Sequence, residues 1–156
     1  MKIYNLENKI EYLDEVATLE YEEWAKNKEE NRQDRIEKKK IKITNMFNEK
    51  SFCKLILLDE HNLVGFISLF PNDGEEEKEL TPWYATMYVK KEYRNKGCSK
   101  ILHEAIINEA KQRGFTTLYL KTTLNNYYEK FGAIFIKELK YGEKLYKIEI
   151  LIFILI

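Results

Sequence analysis

The chain has only two cysteines and two histidines among its 156 residues. That scarcity argues against a zinc centre and leaves no metal expected. Cys53 and Cys98 lie far apart with no C-x-x-C spacing, and His61 and His103 alone do not complete a ligand set. Net charge is missing as well. Lysine plus arginine and aspartate plus glutamate number 26 each, so no overall field draws the protein to nucleic acid or to an anionic membrane, and neither is expected as a partner. The opening MKIYNLENKI lacks the roughly 7 to 15 apolar residues of a secretory leader. This points to the cytoplasm, with both thiols reduced. Long apolar runs are absent too, apart from ILIFILI at the C-terminus. That run is far short of the about 20 residues a membrane helix needs. It reads as the end of a buried strand, or as an edge that a homodimer would share.

What is present describes one globular domain, 1–156, with no internal repeat and no low-complexity linker. The hydrophobic fraction is 44% and the aromatic fraction 13%, enough to bury roughly two-thirds of the unfolded surface at this length. After a short strand at residues 1–5, ENKIEYLDEVATLEYEEWAKN places Ile10, Leu13, Val16, Ala17 and Trp24 mostly three and four apart, the face of an amphipathic helix. NRQDRIEKKKIKITNMFNEK predicts a second, lysine-rich helix with a solvated face. FCKLILLD and LVGFISLF then read as a hairpin, PNDGEEEKE as a polar loop, and TPWYATMYVKK as a central strand. CSKILHEAIINEAKQRG is a helix stopped by Gly114. FTTLYLKT is a strand, LNNYYEKFG a short helix, and AIFIKEL and LYKIEILIF a last hairpin. The order β-α-α-β-β-β-α-β-α-β-β gives an α/β (α+β) class, with a mixed, mostly antiparallel sheet flanked by helices.

The chemistry concentrates at YRNKGCSK, residues 93–100, where a strand passes into a helix through a small-residue turn. The first N–H groups of a helix have no carbonyl partner, and the dipole adds positive potential there, so such a turn suits a phosphate. Gly97 allows close backbone approach, Ser99 adds a hydroxyl, and Arg94 and Lys96 add charge. The pattern is neither a Walker loop nor a dinucleotide fingerprint.

V-x-x-x-x-R-x-x-G-x-S, from Val89 to Ser99, resembles motif A of the GNAT N-acetyltransferases. LTPWYATMYVKKEYRNKG is similar to the strand and loop around that motif, YYEKFGA resembles a box near the end of the same fold, and LEYEEW matches a pattern in the first helix of one branch. The resemblance implies acetyl-coenzyme A as co-substrate and a small-molecule or peptide amine as acceptor. It implies that Arg94, Asn95, Lys96, Gly97, Cys98 and Ser99 hold the pyrophosphate, with Asn125 as a further contact and Val89 pairing with the pantetheine arm. It also implies that the N–H of Met87 stabilises an oxyanion and that Tyr128 protonates the departing thiolate. Asn95 and Ser99 stand where the family pattern has small glycine-like residues, and Lys91 stands where it usually has proline. Asn tolerates positive φ better than most residues.

WYATMYV has no carboxylate to act as base, which leaves Glu23, Asp73 or a water relay. Trp83, Trp24 and Glu23 are the candidate acceptor contacts, with core packing as the plainer role for both tryptophans. Tyr127 is the alternative to Tyr128, His103 reads as a surface or interface residue, and the acidic run at 75–77 as a solvated loop. A non-catalytic acyl-coenzyme A sensor of the same fold is the rival to an enzyme.

Overall fold

A computed structural model describes residues 1–25, 31–74 and 76–150. The strand β1 (Lys2–Asn5) leads through two single turns of 3-10 helix into α1 (Leu13–Trp24), and α2 (Arg32–Met46) follows. The predicted first helix is therefore broken at its start. The Asn5 side chain caps the first turn by accepting the Glu7 N–H, and Lys9 at φ −138° interrupts the helical path. The lysine-rich stretch does form α2. Asn31 caps it by accepting from the N–H groups of Gln33 and Asp34, and Ile36 and Ile43 are its two buried contacts.

The sheet is built from β2 (Cys53–Asp59), β3 (Asn62–Phe70), β4 (Trp83–Val89), β5 (Thr117–Thr122), β6 (Ile134–Glu138) and β7 (Lys144–Glu149), with α3 (Cys98–Gln112) between β4 and β5. Its order is β1-β2-β3-β4-β5-β7-β6. Neighbours run antiparallel, except that β4 and β5 are parallel. Alternate residues of β2 serve two cores, as a period of two requires. Leu55 and Leu57 pack with Leu102 and Ile106 of α3, whereas Ile56 and Leu58 pack with Leu13 and Val16 of α1. Each of these buried aliphatic side chains contributes about 1.5–3 kcal/mol.

The predicted helix in LNNYYEKFG is a single 3-10 turn, Tyr128–Phe131, entered through Asn126 at φ 58° and stopped by Gly132 at φ 86°. A segment bounded by two left-handed residues has no room for a longer helix. Of ILIFILI, Ile150 is buried and donates its N–H to Thr116 O. The remainder, 151–156, with the strand and dimer expectations for it, lies outside the described residues, as does Glu75 of the acidic run.

Two irregularities shape the middle of the sheet. The strands β4 and β5 pair only at Trp83 and Tyr119, so beyond that point they diverge and leave a wedge. The strand β4 also bulges. Phe66 faces Tyr88 and Ser68 faces Ala85, so Ile67 opposes both Thr86 and Met87, and Thr86 is forced to φ 48°. For a β-branched residue that is a costly conformation, and it is held by packing rather than preferred by the chain.

Candidate acetyl-donor and acceptor cavities

The wedge opens into two adjoining cavities. The first, about 590 Å³, reaches from the turn before α3 along β4 to the Tyr127–Tyr128 turn. Most of its lining comes from one stretch of chain, residues 87–99. Asn95 at φ 63° and Gly97 at φ 82° bracket Lys96 in left-handed geometry, which turns successive N–H groups toward one side. The helix α3 begins immediately afterwards, and its first internal hydrogen bond runs from Ile101 N–H to Gly97 O at 3.3 Å. A Cβ on Gly97 would meet nothing within 4 Å, so the glycine is needed for its φ and not for space.

Along β4, Lys90 donates its N–H to Val64 O at 2.8 Å. Strand alternation therefore turns the backbone of Val89 away from β3 and toward the wedge, and Met87, two residues earlier, lies at the bulge. Arg94 folds back so that its Nε donates to Val89 O at 2.8 Å, with its guanidinium over the Tyr88 ring.

The second cavity, about 490 Å³, shares Met87, Leu124 and Tyr128 with the first and adds side chains from distant segments. Trp24 comes from the end of α1, Asp73 from the loop before β4, Thr86 from the bulge, Lys121 from β5, and Glu143 from the loop before β7. Burial pushes the Asp73 carboxyl up, against the opposing pull of Lys121. Tyr128 stands where the cavities meet. Burial, reinforced by Tyr127, pushes its phenol up to about 12, so it keeps its proton at neutral pH. Behind it, Tyr84 lies edge-on at 5.9 Å and shares a hydrogen bond of 3.2 Å with His103 Nδ1.

The description "Acetyltransferase (GNAT) family" fits residues 11–133 of this sequence. The chain belongs to that family. This acetyltransferase also shares its fold with solved structures. An aminoglycoside 6'-N-acetyltransferase complexed with coenzyme A is 19% identical over 97% of this chain and 98% of the other, with a TM-score of 0.72. The aminoglycoside 6'-N-acetyltransferase of Enterococcus faecium is 18% identical over 97% and 98%, with a TM-score of 0.69. The putative acetyltransferase YncA of Salmonella typhimurium, solved with acetyl-CoA, is 12% identical over 96% and 93%, with a TM-score of 0.65. No curated protein matches the sequence.

Members of the family use acetyl-coenzyme A as co-substrate, and the first cavity suits it. The left-handed Asn95 and Gly97 and the start of α3 form an anion cradle, while the unpaired edge of β4 offers a strand-like surface for an amide-containing arm. Among the described residues no group of three or more His, Cys, Asp or Glu forms a metal site. No helix among them is long and apolar enough to cross a membrane.

The structure brings most of the sequence candidates together. Met87, Val89, Arg94, Asn95, Gly97, Cys98 and Ser99 line the first cavity with Tyr127, Tyr128 and Glu23. Trp24, 49% exposed, lines the second with Asp73. Three candidates fall elsewhere. Trp83 is 1% exposed, its indole N–H held by Leu80 O at 2.8 Å, and is a core residue. Asn125 accepts from Lys144 and lines neither cavity. Lys96 sits in the turn with its side chain in solvent, outside both linings.

His103 corrects the surface expectation. It is 9% exposed and stacks on Phe131 at 4.3 Å. Cys98 is buried in the α3 core, as a packing role requires. Glu77 pairs with Lys137 of β6. Sequence reasoning missed Tyr88, Tyr93, Leu124 and Lys130 in the first cavity and Thr86, Lys121 and Glu143 in the second. Thr86, Tyr88, Tyr93 and Lys130 lie inside the stretches that carry the resemblance but are given no role by its pattern, and Lys121, Leu124 and Glu143 come from segments that no motif covers.

Proposed function

We propose that this protein is an N-acetyltransferase that moves the acetyl group of acetyl-coenzyme A to a primary amine of a small molecule or peptide by direct attack. The observation that carries this reading is the position of Tyr128 and Met87, two of the three residues common to a donor-shaped cavity and a second cavity with carboxylates. Acetyl-coenzyme A supplies an activated thioester. The anion cradle of residues 94–99 binds its pyrophosphate, and the β4 edge at Val89 aligns its arm. In this reading the N–H of Met87, a residue of both cavities, stabilises developing negative charge on the thioester carbonyl oxygen. Tyr128, protonated at working pH, gives its proton to the leaving sulfur.

In the second cavity, Asp73 and Glu143 favour a cationic acceptor. Two of the neighbouring structures act on aminoglycosides, which fits an acceptor bearing several amines. The strand β4 carries no carboxylate, which favours a second reading, an acyl-coenzyme A sensor without turnover. A panel of aminoglycosides, polyamines, amino acids and peptide N-termini, with detection of released thiol, separates the two. Turnover with one amine, lost in Tyr128→Phe, supports the enzyme, and tight coenzyme A binding with no turnover supports the sensor.

A further inference from the structure

Lys54 interrupts the apolar strand β2 and is 0% exposed. Its Nζ pairs with Glu20 of α1 and hydrogen-bonds to Ser68 Oγ of β3 at 2.6 Å. Ser68 Oγ lies 2.6 Å from Thr86 Oγ1. Thr86 is the strained bulge residue of β4 and lines the second cavity. A continuous polar chain thus crosses three strands, from a buried amine to the acceptor cavity, through an otherwise apolar layer that includes Phe66 and Phe70.

We infer that Lys54, reached through the hydroxyls of Ser68 and Thr86, accepts the proton that the acceptor amine must lose before it attacks. The inference rests on the acetyltransferase reading and supplies the base that β4 lacks. Burial favours the neutral form of Lys54, against the carboxylate beside it. That carboxylate, Glu20, is also paired with Lys39 of α2 at 3.5 Å. One negative charge cannot balance two ammonium groups, and Lys54 is the one stripped of water. Burial lowers its pKa, Glu20 opposes that, Lys39 lowers it further, and neighbouring Cys53 raises it slightly. The strands β3 and β4 face it with Ser68, Thr86 and the two phenyl rings.

The protonation state of Lys54 sets the direction of the chain. An ammonium donates to Ser68, which donates to Thr86, so the Thr86 O–H points into the cavity as a donor. A neutral amine reverses this order and leaves the Thr86 oxygen open to accept. An acceptor ammonium then passes a proton to Thr86 Oγ1, the Thr86 hydroxyl proton moves to Ser68, and the Ser68 proton moves to the Lys54 lone pair. The neutral amine is left in the cavity to attack. A second proton leaves the nitrogen as the amide forms and replaces the one Tyr128 gives to sulfur. After product leaves, Lys54 returns its proton through the same hydroxyls to water.

The test combines kcat against pH, with whichever amine turns over, in the wild type, Ser68→Ala, Thr86→Gly and Lys54→Met, with NMR titration of the Lys54 Cε signal in the ligand-free protein. Glycine at 86 keeps the bulge, since it adopts positive φ freely, and removes only the hydroxyl. This variant decides between a proton path and a prop for the strand. The expected result is a wild-type rate that rises with pH through the value at which Lys54 titrates. In all three variants that limb is lost and kcat falls by about 100-fold, the low end of general-base effects, with coenzyme A affinity unchanged by calorimetry. An active wild type matched by Thr86→Gly in rate and pH limb overturns the inference alone. So does a Lys54 signal that stays that of an ammonium across the limb, or a limb lost in Asp73→Asn and kept in Thr86→Gly. A wild type silent with every amine sinks the parent reading and this one with it.

Discussion

The two cavities meet at Tyr128 but are made differently. The first draws most of its lining from one local stretch, residues 87–99, with two left-handed residues, a helix start and an unpaired strand edge. The second is assembled from six separated segments, with charges of both signs. Main-chain recognition reads a fixed group whatever the surrounding residues, whereas side-chain recognition changes with each substitution. In the proposed function the donor is therefore held mainly by one local stretch, and the acceptor by groups brought together from distant ones.

The largest effect is expected at the junction. Tyr128→Phe removes the proposed proton donor, and kcat should fall by about 100-fold or more. Coenzyme A affinity, measured by calorimetry, should hold. A parallel loss of affinity would place Tyr128 in binding and blur the division. Next, Gly97→Val imposes a side chain at φ 82°, where the left-handed region costs about 1–2 kcal/mol. Coenzyme A should bind about 10-fold more weakly, while the KM of the amine stays put.

The second cavity answers in the opposite sense. Asp73→Asn should raise the KM of a cationic amine several-fold and leave coenzyme A affinity unchanged, as read from a full initial-rate grid.

The same contrast explains what the sequence revealed. The left-handed turn before α3 was legible because a single local stretch, Val89 to Ser99, contains both the geometry and its signals. Asn95 illustrates this, since its tolerance of positive φ was expected and it adopts φ 63°. Trp83 was misplaced because strand alternation alone does not say which aromatic residue borders a wedge, and the single β4–β5 bridge that defines the wedge falls on Trp83 itself. The surface reading of His103 failed because its partners, Tyr84 and Phe131, come from elsewhere in the chain. Lys54 was visible as a charge inside FCKLILLD, but its route to the cavity depends on registers that only the folded sheet supplies.

Two smaller effects refine the picture. Burial holds His103 below the ordinary histidine pKa, with Glu104 opposing it, so the folded state binds this proton less readily than the unfolded chain. Its contribution to stability is complete above about pH 6.5 and is lost as pH falls toward the lowered folded value. His103→Phe, which can keep the stack on Phe131, should flatten that part of a denaturation-midpoint profile against pH. Smallest of all, Asn95→Gly relieves a tolerated left-handed residue and should change coenzyme A affinity by no more than about threefold, since Asn is already among the residues that accept this region.

The central claim is that one chain binds the donor on its backbone and delivers its acetyl group to an amine held beside it. The most direct measurement follows thiol release and N-acetylated product together, with acetyl-coenzyme A and the amine panel, in the wild type and in Tyr128→Phe. The account predicts equal amounts of thiol and acetylated amine for at least one cationic acceptor, and loss of both in Tyr128→Phe with coenzyme A still bound. Tight coenzyme A binding with no thiol released by any amine would contradict it.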